Sequence, residues 1–323
     1  MKRKNIVVVA FALVLVLASL AILSIHGVTQ PVQNEPDLVH WNKYGVVVSA
    51  ADLGVSIMED FVMFYGHDGY VYAFLAAGST YEFSSIYLIR GYDIYFHNLT
   101  VIGKVLNDPR AGWEDLRIRP RSVVYDAENS RYLLYYDGMG SQIAFASGVL
   151  SCPTSEFPQG NWTESSQNPI LVPEYGGEGL MVLKKYGTYM GIFYGGYSAV
   201  SYKFCFSNDP LAKFTVVGDI AYRGSNYGQL RGLLKVDAGY LFAYEAEFGG
   251  RWNWRICLGF IDESLRFMSE HQHAPAISPT ETYEGDQLAN PYLSESSDMI
   301  LLYYNGHPND VFSNVILAYT FKP

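Results

Sequence analysis

"RPRSVVYDAENSRYLLYYDGMGSQIAFASG", residues 119–148, decides how this chain folds. Two apolar and aromatic runs, "SVVY" and "YLLYY", flank the polar turn "DAENS"; a glycine-rich turn then leads into a third run, "IAFAS". Runs this short, rich in β-branched and aromatic residues and bounded by Gly, Asn, Asp and Ser, predict strands joined by tight turns. The same order returns four times: "VYAFLAAGSTYEFSSIYLIRG" from Val71, "YMGIFYGGYSAVSYKFCFS" from Tyr189, "YLFAYEAEFGGRWNWRICLGF" from Tyr240 and "MILLYYNGHPNDVFSNVILAY" from Met299. Aligning Phe74, Tyr136, Tyr194, Tyr244 and Tyr304 spaces the copies by 62, 58, 50 and 60 residues.

Each copy is preceded by an apolar strand ("FVMFYG", "RSVVYD", "GLMVLK", "RGLLKV", "ANPYLS"), and three are followed by an aromatic-to-apolar piece such as "KFTVVGDIAYRG". Four strands per unit at this period predict propeller blades. The expected fold is all-β, a five-bladed β-propeller over residues 41–323, whose terminal "VILAYTF" could pair with "YGVVVSA" near the start to close the ring. A β-sandwich with coincidental tyrosine clusters is the alternative. No segment after residue 40 sustains a long helical apolar period, which excludes a doubly wound α/β fold.

Lys2, Arg3 and Lys4 precede an unbroken apolar run, Ile6 to Ile25. It exceeds a secretory h-region and is long enough to span a bilayer, with its positive charges on the N-terminal side only. Residues 1–26 are therefore expected to be a transmembrane helix acting as a membrane anchor, or else a cleaved signal peptide. Residues 27–40 form a linker, and the propeller lies on the extracellular side, or is secreted if cleavage occurs. The net charge of −10 argues against nucleic acid or an anionic membrane surface as partner. Cys205 and Cys257 lie in apolar runs and are expected to be buried free thiols; with Cys152 the odd count allows at most one disulfide. No Cys or His spacing points to a metal, and no motif points to a cofactor. His271 and His273 alternate in a predicted outer strand and are expected to be exposed. There is no G-x-S-x-G elbow and no P-loop.

In a propeller the segments entering the innermost strands converge on one face. Here they carry Glu59 and Asp60; Glu114, Asp115, Arg117 and Arg119; Glu174 and Glu178; Gln229 and Arg231; and Glu284, Asp286 and Asn290. Trp113, Tyr175, Tyr227 and Tyr283 lie close by. Carboxylates beside aromatic rings suit a sugar: rings stack on its CH faces while one acid protonates a glycosidic oxygen and a carboxylate activates water.

The phrase "RPRSVVYDAENSRYLLYYDG" followed by "QIAFASG", and again "FCFSNDPLAKFTVVG" from Phe204, resembles the five-bladed propeller glycosidases. These comprise the arabinanase and xylosidase group (glycoside hydrolase family 43), the invertase group and the mannoside phosphorylase group. The resemblance implies an oligo- or polysaccharide substrate and an acid, a base and a pKa-tuning carboxylate from the first three blades. Asp60, Asp115 and Glu178 are the counterparts in this sequence: Glu178 as general acid, Asp115 as base or modulator, Asp60 as base. "GGEGLMV" looks like the group's "EGP" acid segment with Leu180 in place of proline, and "WEDLRI" like an "EDPRI" segment with Leu116 in that place. "MEDFVMF" lacks the group's Asp-Pro. Trp113, Arg117, Tyr175, Tyr227, Arg231 and Asn290 are the expected substrate-binding residues. The departures leave two alternatives open: a propeller that binds a glycan or protein without cleaving it, and, if the arginines take phosphate, a glycoside phosphorylase.

Overall fold

The computed structural model describes residues 38, 40–80, 83–107, 112–141, 145–172, 177–195, 201–225, 228–237, 239–250 and 253–322. The expected membrane helix falls outside them, as do Glu174, Tyr175 and Tyr227; no helix among the described residues is long and apolar enough to cross a membrane.

The chain opens with strand β1 (Asn42–Ser49) and then builds blade one from β2 (Ile57–Tyr65), β3 (Val71–Thr80), β4 (Phe83–Gly91) and β5 (Thr100–Leu106). Blade two holds β6 (Arg117–Asp126), β7 (Arg131–Met139), β8 (Ala146–Pro153) and the short β9 (Thr163–Glu164). Blade three holds β10 (Gly177–Lys185), β11 (Thr188–Gly195), β12 (Ser201–Ser207) and β13 (Thr215–Asp219). Then come β14 (Ala221–Arg223), β15 (Leu230–Val236), β16 (Gly239–Glu247), β17 (Trp254–Asp262) and β18 (Phe267–Glu270), which form blade four. Blade five contains β19 (Leu288–Glu295), β20 (Met299–Gly306) and β21 (Asn314–Phe321), with β1 as its outermost strand. Val46 pairs with Ile316 and Val48 with Val315, so the first strand clasps the last blade as the sequence suggested.

The ring has no single central core. Among the described residues five apolar clusters each join two neighbouring blades: Val62 and Phe74 meet Ile118 and Tyr136, and Leu133 and Tyr135 meet Leu180 and Phe193. Ile192 and Tyr202 meet Phe242 and Tyr244, Leu241 and Leu258 meet Leu302 and Ile316, and Tyr303 and Leu317 meet Phe61 and Ala73. That is why the second strand of a blade reads as a nearly continuous apolar run: it is sandwiched between blades and buried on both sides. Outer strand β13 is mostly exposed, and β5 buries only Leu106.

The "KFTVVGDIAYRG" piece spans two strands: β13 ends at Asp219, Ile220 is buried, and β14 crosses to pair in parallel with β18 of the next blade. One expectation changes. His271 is buried, because β18 stops at Glu270 and the His271 N–H donates to the Leu258 carbonyl (2.9 Å); His273 is exposed. All three cysteines are free and buried.

Candidate active site

Side chains two apart on a strand share a face, so Arg117 and Arg119 point together from the start of β6, and Arg121 follows as the extra residue of a bulge. Every innermost strand also carries a bulge near its start: between Glu59 and Val62, Pro120 and Ser122, Glu178 and Met181, Arg231 and Leu233, and Ala289 and Tyr292. Such a bulge re-aims the side chains around it. In four of the five it holds a residue in the left-handed region: Asp60 (φ 54°), Gly179 (φ 75°), Gly232 (φ 62°) and Asn290 (φ 50°).

The consequence is a charged network linking four blades, with blade five joined to it through Asn290. Asp60 has a fully buried side chain. Its Oδ1 receives Arg121 Nη1 at 2.8 Å and also Arg231 Nη1, while Arg119 Nε lies 3.3 Å from Oδ2. Glu59 is paired with Arg117, with Arg119 Nη2 at 3.9 Å. Arg121, with no exposed side-chain surface, also donates through Nε to Asp137 Oδ2 (2.5 Å). Asp137 accepts further bonds from Ser147 Oγ (2.8 Å) and from the backbone N–H of Gly179 (2.6 Å), the residue after Glu178. Gln229 Nε2 donates to Glu178 Oε1, and Gln229 Oε1 accepts from Arg231 Nη2 at 2.5 Å. Arg231 Nη2 also donates to Asn290 Oδ1 (3.0 Å) and lies 3.6 Å from Glu245, whose Oε2 accepts the Asn290 N–H (2.5 Å). Asp60 and Glu178 are thus separated by only two side chains, Arg231 and Gln229.

These surroundings split the carboxylates. Burial raises the Glu178 carboxyl above its ordinary value; Arg119 and Arg121 oppose the shift, and Asp137 and Glu245 reinforce it. Glu59 is buried too, but the Arg117 and Arg119 guanidiniums outweigh burial and hold its carboxyl below the usual range. Arg117 is itself pushed down to about 10, by burial first and by its neighbour Arg119. Glu178 Oε2, Asp60 Oδ2, Arg121 Nη2 and Arg231 Nε are buried without a hydrogen-bond partner among the described residues. Buried polar atoms ordinarily have a partner, so these open valences set the network apart from an ordinary structural one. Among the described residues no group of carboxylates, histidines and cysteines is arranged to hold a metal ion.

The structure therefore brings together Asp60, Glu178, Arg117, Arg231 and Asn290. Asp115 does not join them: it sits ahead of β6, where Ser141 donates to it through its N–H (2.6 Å) and its Oγ (2.7 Å), bonds that keep the carboxyl below its ordinary value. Trp113 packs against blade two, its ring 5.6 Å from that of Tyr136 and its edge where a side chain on Gly138 would stand. Asp137 and Glu245 were missed. Their signal lay in the repeat itself, in the position after the aligned aromatic, which reads Leu75, Asp137, Gly195, Glu245 and Asn305. The polar residues there each reach the next blade: Asp137 to Gly179, Glu245 to Asn290, and Asn305 Nδ2 to the Met58 carbonyl (3.2 Å).

Among solved structures the chain is similar to RS223 β-xylosidase (13% identity, TM-score 0.65), covering 87% of this chain and 96% of that one. A GH43_1 enzyme from Xanthomonas citri complexed with xylotriose follows at 12% identity and TM-score 0.64, covering 86% and 90%. An α-L-arabinofuranosidase from Lactobacillus brevis matches at 13% identity and TM-score 0.61, covering 84% and 94%. The chain has the fold of family-43 glycoside hydrolases. No protein-family model and no curated protein sequence matches it.

Proposed function

We propose that this protein is an extracellular, membrane-anchored propeller that opens a glycosidic bond in an oligo- or polysaccharide, with Glu178 as the proton donor. The observation that carries this reading is the Glu178 carboxyl, raised by burial and offering an unpartnered Oε2 beside the charge network. A carboxylic acid kept protonated towards neutrality is what departure of a poor alkoxide requires. Asp60 would activate water through Oδ2, the oxygen that accepts no hydrogen bond. Asp137, tied to the Gly179 N–H and to Arg121, is better placed than Asp115 to tune the acid. Tyr175 and Tyr227 remain the proposed stacking rings, and the Ile6–Ile25 run the proposed anchor. The solved neighbour that binds xylotriose supports a sugar as the ligand class.

A second reading, glycan binding without cleavage, is favoured by one observation. The Asp60 side chain has no exposed surface, and three guanidiniums surround its carboxylate, which makes it a poor base. The test incubates the full-length protein with alkyl arabinosides, xylosides and mannosides, whose leaving groups need protonation, beside Glu178→Gln. Hydrolysis should fall at least about 100-fold in the variant. Equal activity in both proteins removes Glu178 from its role; sugar binding without turnover in either selects the second reading.

A further inference from the structure

The network contains four guanidiniums, and three are spoken for. Arg117 pairs with Glu59, Arg121 with Asp60 and Asp137, and Arg231 with Asp60, Gln229 and Asn290. Arg119 is different. Its Nε makes no hydrogen bond, lying 3.3 Å from an Asp60 carboxylate whose other oxygen already holds two guanidiniums. Its Nη2 comes no nearer than 3.9 Å to Glu59, which Arg117 has taken. Its side chain keeps 12% of its surface exposed, against none for Arg121. Its Nε contact at 3.3 Å places it beside Asp60, the proposed base.

We propose that the fork of Arg119, held by ion-pair contacts alone, receives a carboxylate carried by the sugar ligand, so that the site takes an acidic saccharide containing a uronic acid. The inference rests on the carbohydrate reading of this site and names its substrate class. A planar guanidinium fork matches a carboxylate with two parallel N–H···O bonds, which a neutral hydroxyl cannot reproduce. Charge balance ranks a monoanion ahead of a dianion. With Glu178 protonated, the carboxylates of Glu59, Asp60, Asp137 and Glu245 face the four guanidiniums of Arg117, Arg119, Arg121 and Arg231. A sugar carboxylate adds one negative charge to that balance, whereas a phosphate dianion adds two beside carboxylates that are already buried.

The test measures binding calorimetrically to the full-length protein at constant ionic strength. The probes are xylotriose bearing a glucuronic acid, the methyl ester of the same compound, plain xylotriose, and sodium phosphate. The acid should bind about tenfold or more tightly than its ester, the size of one charge-assisted pairing. Arg119→Gln should erase that preference while leaving the ester's affinity in place. Arg119→Lys, which keeps the charge but loses the fork, should retain part of it and stands in if the Gln variant fails to fold. Arg223→Gln, at an exposed position on blade four, should leave the preference intact. Acid and ester binding alike overturns the proposal and leaves the carbohydrate reading standing. Phosphate binding that depends on Arg119, without binding of the acidic sugar, overturns it in favour of a phosphate seat. Binding of no saccharide at all overturns both readings together.

Discussion

Replacing Arg121 by Met tests whether the charged network is a connected unit. Arg121 has no exposed side-chain surface and bridges Asp60 (2.8 Å) and Asp137 (2.5 Å). Methionine fills much of the same volume, so the loss is electrostatic rather than a cavity. Asp137 keeps Ser147 and the Gly179 N–H, and Asp60 keeps Arg231, but the cation between the two carboxylates is gone. Breaking a buried pair by removing one partner costs about 3–5 kcal/mol, because the remaining charge is stranded. In a domain of this size that lowers the melting temperature by roughly 6–15 °C. The assay is thermal and urea unfolding followed by tyrosine and tryptophan fluorescence, with Arg121→Met, Asp137→Asn and the double variant side by side. The double variant should recover at least about 1 kcal/mol relative to Arg121→Met, since one stranded charge is neutralised. A loss below about 1 kcal/mol in Arg121→Met, or no recovery in the double variant, would refute the bridging account.

Three further outcomes follow from the same geometry. Because burial raises the Glu178 carboxyl in the folded state, that group's stability contribution is complete below the unfolded pKa and declines as pH rises through the folded one. Glu178→Gln should therefore melt higher than the parent at pH 7–8 and match it near pH 4 (about the unfolded value); a lower melting temperature at pH 8 would contradict the assigned direction. Asp126 is opposed by burial but held down to about 2 by Asn129, Tyr189, Arg131 and Lys184. Its contribution is present above the unfolded pKa of about 4 and lost as pH falls towards 2, so Asp126→Asn should cost roughly 1–2 kcal/mol at pH 7 and almost nothing near pH 2. Gly232 combines φ 62° with a position where a Cβ would collide with the Leu293 backbone nitrogen of blade five; Gly54 has φ 69° in open space. Gly232→Ala should cost about 2–4 kcal/mol and Gly54→Ala only about 1, compared by urea midpoints, and equal costs would remove the close approach between blades four and five.

The fold was legible because the repeat carries it. One aromatic column recurs in every blade, and each blade needs the same sandwiched second strand, so chance tyrosines could not imitate the period. The channel residues were legible only in part, and bulge parity explains the difference. Reading down the segments that enter the inner strands found Asp60, Glu178, Arg231 and Asn290, which lie in or beside the bulges. It also selected Asp115, whose spacing matches a carboxylate-bearing segment but which precedes β6 and turns to Ser141 instead. Arg117, Arg119 and Arg121 stand out in the sequence, yet nothing local in it says that their carboxylates come from blades one and two. Asp137 and Glu245 stand on second strands and read as part of the repeat phrase. Their role appears only once the next blade's bulge N–H is seen against them.

The central claim is that Glu178 donates the proton to the departing oxygen. The most direct measurement compares Glu178→Gln with the parent on two glycosides of the same sugar, one with a dinitrophenolate leaving group and one with an alkyl alcohol. A dinitrophenolate departs without protonation; an alkoxide does not. The account predicts near-parental kcat on the dinitrophenyl glycoside and a loss of about 100-fold or more on the alkyl glycoside. Equal losses on both substrates, or none on either, would contradict it.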